Sequence, residues 1–168
     1  GGEQGLFIAP MSSPIQVSRN GVRISSPTLS WERQGGAVNE GPYALYHGGR
    51  TFLTYSASSC NTPDYKLGQL TWTGGDPMSP SSWTKKSTPI FQRNNANGVY
   101  GPGHHSFVNS PDGTEMWIVY HANSSASQGC GTTRTTRAQK INWNSDGSPN
   151  LGTPVRTGVS IAGPAGDS

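Results

Sequence analysis

Charge is the first thing this sequence lacks. Only 12% of its 168 residues are Asp, Glu, Lys or Arg, with 9 acids against 12 bases. The bases are scattered, and the only local concentrations are Lys85-Lys86 and Arg134/Arg137. That excludes the continuous basic stripe which tracks a nucleic-acid backbone. No apolar run approaches the ~18 residues of a membrane-crossing helix, and the opening GGEQGLF has no signal-peptide organisation. Neither nucleic acid nor a membrane is therefore expected as a partner. Leu, Ile, Val and Phe are also scarce, a composition that by itself points to disorder. The 5 Trp, 6 Tyr and 4 Phe and the low net charge of +3 argue the other way, for one domain with a real core.

What is abundant is turn chemistry. With 23 Gly and 13 Pro, and many Ser, Thr and Asn, the chain reads as all-β, made of short strands joined by many turns. The two Cys, the low Lys and Glu content and one Asn-Ser-Ser sequon at Asn123 lean towards an extracellular protein.

The strands repeat. HGGRTFLTYSASS (47–59) aligns with SPDGTEMWIVYHANSS (110–125), so that Tyr55 matches Tyr120, 65 residues on. LGQLTWTGGDP (67–77) then matches RAQKINWNSDGSP (137–149), with Trp72 opposite Trp143. Each unit predicts four strands in an up-and-down meander: about 42–47, 50–58, 66–73 and 82–91, then about 103–110, 114–122, 135–143 and 153–158. LFIAPMSSP (6–14) and GVRISSP (21–27) read as the third and fourth strands of an earlier unit. Four strands per repeat is the blade signature of a β-propeller. About two and a half blades are visible, whereas closed propellers have about four to eight. The chain is thus expected to be the C-terminal part of a longer propeller, completed by further sequence or by a second chain. A small sandwich of eight to ten strands is the alternative on strand count alone.

One stretch places an acid with unusual care. In GGAVNEGPYALY (35–46), Glu40 lies between the polar Asn39 and a stiff Gly41-Pro42 pair, just before an alternating strand. Such an acid is a candidate for general-acid chemistry, or else a half-exposed carboxylate that closes a turn.

NEGP before an inner strand, GPGHHSF (101–107) one blade later, SPDGTEMWIVYHA and a final WNSDGSPNLGTPV together resemble glycoside hydrolase family 43, in particular its secreted arabinofuranosidases and exo-acting 1,5-α-L-arabinanases. The resemblance runs from LFIAPMSSP to AGPAG. It implies a five-bladed β-propeller, with 1–34 as outer strands of blade three, 35–100 as blade four and 101–168 as blade five. It maps Glu40 onto the general acid of an inverting glycosidase, whose partner carboxylate lies about 6.5 to 9.5 Å away across the sugar. Asp64, Asp76, Asp112 and Asp146 all fall in inter-strand loops, the last two in Asp-Gly turns. None of them suits the partner's place; the resemblance implies that the base aspartate, and a second aspartate that tunes the acid, come from earlier blades, so this chain alone is expected to be inactive.

The same resemblance makes His104 the axial ligand of a hydrated ion such as calcium, with no organic cofactor. It makes Arg137, with Arg134 in reserve, a sugar ligand; Asn39 and Tyr65 join the candidate substrate-binding set. Thr62, Pro63, Asp64 and Tyr65 would line the rim of the site. His105 has no assigned role, and His47 and His121 read as structural. Cys60 and Cys130 follow the second strand of their blades at matching phase, which suits a disulfide tying neighbouring loops on the face where Glu40 enters; free thiols, or pairing to the missing half, are the alternatives. The activity implied is release of L-arabinose from arabinan or arabinoxylan-type polysaccharide. A β-xylosidase of the same family and a non-catalytic polysaccharide-binding propeller are the competing readings.

Overall fold

A computed structural model describes residues 2–167. The chain is all-β apart from two single-turn 3-10 helices, Ser30–Glu32 and Pro80–Ser82. Near the N-terminus, β1 (Leu6–Ile8) pairs antiparallel with β4 (Val22–Ser25), and β2 (Met11–Ser13) with β3 (Gln16–Val17). The first large sheet is a meander of β5 (Asn39–His47), β6 (Arg50–Ala57), β7 (Lys66–Trp72) and β8 (Trp83–Lys85). The second joins β9 (Tyr100–Asn109), β10 (Met116–Asn123) and β11 (Thr135–Lys140), followed by the small pair β12 (Asn142–Trp143) and β13 (Pro149–Asn150). Among the described residues no helix is long and apolar enough to cross a membrane.

The repeat is real at the level of registry. In the first sheet, Glu40 faces Ser56 and Tyr43 faces Thr54, so Gly41 and Pro42 together oppose Tyr55. In the second, Gly103 faces His121 and Ser106 faces Val119, so His104 and His105 together oppose Tyr120. Both inner strands carry a bulge, two residues against one, opposite the repeated tyrosine. The first bulge residue has left-handed backbone in each case, φ 54° at Gly41 and 52° at His104.

Several predicted boundaries move for reasons visible in the chain. β5 starts at Asn39 rather than 42, because the bulge lets pairing continue past Pro42, which has no N–H to give. The strand predicted over 82–91 stops at Lys85 and is interrupted around Pro89. It rejoins the sheet where Ile90 N–H donates to Leu67 O and Leu67 N–H to Phe91 O, both at 2.9 Å. The strand predicted over 153–158 does not form. Gly152, at φ 68°, and Pro154 break it, and the Gln139 carboxamide takes its place, donating to Leu151 O and Thr153 O and accepting from Val155 N–H.

The two sheets close on an apolar core that includes Leu45, Phe52, Leu67, Phe107, Ile118 and Tyr120. Across the same interface His105 approaches Thr54 Oγ1 at 2.5 Å. The Thr54 hydroxyl donates to Tyr43 O at 3.1 Å, so His105 Nε2 carries the proton and donates to Thr54. Burial, with neighbouring His104 adding to it, pushes the His105 imidazole down to about 3. On the other side of β6 lies a second cluster around Tyr55 and Leu70. Its centre is Glu32, 0% exposed. Its carboxylate accepts from Lys85 Nζ at 2.8 and 2.9 Å, Asn39 Nδ2 at 2.7 Å, Tyr55 OH at 3.0 Å and Leu29 N–H at 3.0 Å. Five donations on two oxygens offset the cost of burying the charge.

The Cys60–Cys130 disulfide joins the β6–β7 loop to the β10–β11 loop, with Cα atoms 5.2 Å apart across a sequence separation of 70. Loop closure of that size restricts the unfolded chain by about 4 kcal/mol in the chain-entropy account. The Asn123 sequon gives no support for secretion. Its side chain is buried, donating to Gly129 O and accepting from Thr133 Oγ1, and it offers no amide to a glycan.

Two outcomes follow for stability. Lys85→Met leaves Glu32 buried without its cation, and urea unfolding of the full-length protein is expected to show a loss of about 3 kcal/mol. His105 binds no proton in the fold until about pH 3, whereas unfolded it does so near 6.5. Stability therefore falls as pH drops from 6.5 towards 3, by at most about 1.4 kcal/mol per pH unit from this group. His105→Gln is expected to make the decline between pH 6.5 and 4 shallower, and an unchanged slope would remove His105 as its source.

Candidate functional site

The β5–β6, β6–β7, β9–β10 and β10–β11 pairings bring Glu40, the two cysteine loops and the start of β9 to one end of the sheets. Glu40 is half-buried at the first bulge. Its Oε1 accepts a hydrogen bond from Tyr65 OH at 2.7 Å. Its Oε2 has no protein partner among the described residues. With Pro42, Glu40 also borders an open cleft of about 390 Å³ whose far wall includes Gln4, Phe7 and Arg23.

Tyr65 is 1% exposed, so it does not reach a sugar, and its assignment to substrate binding is corrected on that ground. Its ring lies so close to β9 that a Cβ on Gly103 would sit 2.3 Å from it. The Arg134 guanidinium stacks over the ring, 5.4 Å from its centroid. Burial is the largest cause raising the tyrosine's ionisation well above its ordinary range. A hydrogen bond with Ser56 opposes the shift, while the Glu40 bond and charge add to it. The phenol remains a donor throughout the working pH range.

Arg134 leaves the loop just before β11 and is pinned at several points. It donates through Nε to His121 Nδ1, and through Nη2 to Gly101 O at 2.5 Å and His121 O at 2.8 Å. Its Nη1 is buried with no protein partner. Burial first, then the charge of Arg134 and that of His104, push His121 down to about 4. The neutral ring accepts at Nδ1, which leaves its proton on Nε2. His121 is thus more than a strand-end residue, as its ring also faces that of His104 at 5.7 Å between centroids. His47, read as structural, stacks on Trp143 at 3.7 Å and touches none of this group.

His104 is exposed, and its left-handed backbone is unusual for a residue with a side chain. Its N–H donates to Ser56 Oγ at 2.9 Å, and its Nδ1 lies 3.5 Å from Tyr65 OH. Among the described residues no three His, Cys, Asp or Glu side chains converge as a metal cage. One exposed imidazole is a donor set that suits an ion keeping most of its own water.

The structure separates the remaining candidates from Glu40. Asn39 is buried and its carboxamide is used up, donating to Glu32 and Val38 O and accepting from Ser25 Oγ at 2.7 Å. It is a structural residue on the opposite side of the strand from Glu40, not a free sugar ligand. Arg137, within β11, donates to Thr135 Oγ1 at 3.1 Å, Ala122 O at 3.3 Å and Ser124 Oγ at 3.1 Å. It is Arg134 rather than Arg137 that contacts the Tyr65 ring. Asp112 and Asp146 accept from hydroxyls and N–H groups of their own turns, which holds both carboxyls below their ordinary range. Asp64 pairs with Arg93 at 3.2 Å and Asp76 with Met78 N–H, while Glu3, which lines the same cleft as Glu40, pairs with Arg23 at 2.9 Å.

Sequence reasoning missed Glu32, Ser56 and the role of Gly103. Glu32 carries no local signal, since its partners Tyr55 and Lys85 are 23 and 53 residues away. The repeat itself held a clue to Gly103, which occupies in the second unit the place of Glu40 in the first.

Comparison with known proteins identifies relatives of the chain. The chain is similar to an "Extracellular exo-alpha-(1->5)-L-arabinofuranosidase" of Streptomyces avermitilis, 47% identical over 159 residues that cover 92% of this chain and 33% of the relative. It is similar to "Alpha-L-arabinofuranosidase 43" of Humicola insolens, 42% identical over 94% of this chain and 34% of the relative. The solved α-L-arabinofuranosidase from Lactobacillus brevis superposes with a TM-score of 0.86 at 37% identity, covering 93% of this chain and 49% of that one. The chain thus spans about a third of these curated relatives and about half of the solved structure. The family described as Glycosyl hydrolases family 43 matches residues 1–149, and the chain belongs to that family.

Proposed function

We propose that the complete protein is an inverting glycosidase that releases L-arabinose from arabinan or arabinose-substituted plant polysaccharide. The observation that carries this reading is the Glu40 carboxyl, with one oxygen held by a buried tyrosine and the other free, in a chain related to α-L-arabinofuranosidases. Glu40 is the general acid, donating its proton from Oε2 to the leaving glycosidic oxygen. The base that activates water comes from sequence outside this chain: among the described residues Asp64, Asp76, Asp112 and Asp146 are engaged in their own turns and loops, and Glu3, which shares the cleft with Glu40, is held by Arg23 and Arg33, so the chain alone is inactive.

The repeated, bulged sheets support an arrangement in which residues 35–100 and 101–168 form blades four and five of a five-bladed propeller, and residues 1–34 the outer strands of blade three. The exposed Phe7, Met11, Ile15 and Val17 suit a surface covered by further sequence. Arg137 and Arg134 are the candidate sugar ligands, each with one guanidinium nitrogen that has no protein partner. His104 would hold a hydrated cation such as calcium, which would supply positive charge beneath the sugar. The disulfide and the extracellular naming of similar proteins support secretion.

Two measurements on the full-length protein test the reading. Glu40→Gln is expected to lower kcat by about 10²- to 10⁴-fold on an arabinoside with a poor leaving group; equal rates for both forms remove Glu40 from the acid role. Proton NMR of the first-formed arabinose is expected to show inverted anomeric configuration, and retention would exclude a two-carboxylate inverting site.

A further inference from the structure

We infer that Tyr65 is a positioning residue which decides from which oxygen Glu40 gives up its proton. The inference rests on the reading of Glu40 as the general acid.

Tyr65 is 1% exposed, and its OH donates to Glu40 Oε1 at 2.7 Å. The carbonyl oxygen of a protonated carboxyl is its better acceptor, so the Tyr65 bond to Oε1 favours the tautomer with the acid proton on Oε2. When the acid works, the Oε2–H bond breaks and the proton forms a new O–H bond to the leaving oxygen. The electrons of the broken bond stay on a carboxylate shared over both oxygens. The Tyr65 bond to Oε1 then becomes charge-assisted and stronger. It gains strength as the transition state is reached, which is the kind of contact that raises kcat.

Nothing in the site lets Tyr65 swing away. A Cβ at Gly103 would lie 2.3 Å from the ring, so only glycine leaves room for it. Arg134 covers the ring and is itself fixed by Gly101 O and His121. The Cys60–Cys130 bond ties the two loops from which Tyr65 and Arg134 arise.

The test compares Tyr65→Phe with the parent full-length protein on two arabinosides, one with a poor alkyl leaving group and one with an activated dinitrophenyl group. The phenylalanine ring keeps the packing against Gly103 and Arg134, and thermal melts confirm folding. Tyr65→Phe is expected to lower kcat on the alkyl substrate by roughly 10- to 100-fold, the worth of a hydrogen bond to a charged group, with KM little changed. The effect on the activated substrate is expected to be below about 3-fold, because a good leaving group needs little proton donation. Equal losses on both substrates would show a merely structural role, and unchanged rates would show no role at all; either overturns the inference. Glu40→Gln, run alongside, separates the two claims. If it shows the leaving-group dependence and Tyr65→Phe does not, only the positioning role falls; if it shows none, the acid assignment falls with it.

Discussion

The approach of the Tyr65 ring to the backbone of β9 constrains the whole upper end of the two sheets. That ring touches both sheets at once: its hydroxyl reaches Glu40 on β5, while its face lies where any side chain at position 103 would have to be. Gly103 is therefore a steric requirement, and so is the loop geometry that brings Tyr65 down from Cys60. The disulfide restricts the same loop from the other side, joining it to the segment that carries Arg134. Packing, covalent restraint and a short hydrogen bond all converge on one carboxyl group.

Strand alternation explains why that carboxyl is available. Neighbouring strand residues point to opposite faces, so Asn39 turns into the buried Glu32 network while Glu40 reaches Tyr65 and the open cleft. The histidine pair is divided in the same way: His104 is exposed beside Tyr65 and His105 is buried against Thr54. The bulge that follows Glu40 in β5 and Gly103 in β9 then lets the two strands continue in register beyond the site. Stability is concentrated next to the site, in the Glu32–Lys85 pair on one side of β5 and β6 and the His105–Thr54 contact on the other.

Much of this was legible in the chain. The Tyr55/Tyr120 repeat and the turn residues marked most of the strands, and the matching phase of Cys60 and Cys130 pointed to their pairing. Asp112 and Asp146 were recognisable as turn acids because each precedes a glycine that the turn bends through. What could not be read is side-chain direction at irregular positions. Asn39 and Tyr65 looked like site residues from their neighbours in sequence, yet both are buried, one in the Glu32 network and the other where the missing side chain at Gly103 leaves room. Arg134 and Arg137 are three residues apart, and only the loop start at Arg134 decides which of them meets the tyrosine. The strand expected over 153–158 failed because Gln139, a side chain, satisfies backbone groups that a strand would have paired.

The central claim is that Glu40 presents one oxygen to the substrate while Tyr65 holds the other. A crystal structure of the full-length Glu40→Gln protein with a bound arabino-oligosaccharide tests it most directly. The account predicts that one terminal atom of the substituted carboxamide takes the place of Oε2, within about 3.2 Å of the glycosidic oxygen, with Tyr65 OH still bonded to the other. A sugar bound with its scissile bond away from position 40, or a Tyr65 hydroxyl turned to the substrate itself, would contradict it.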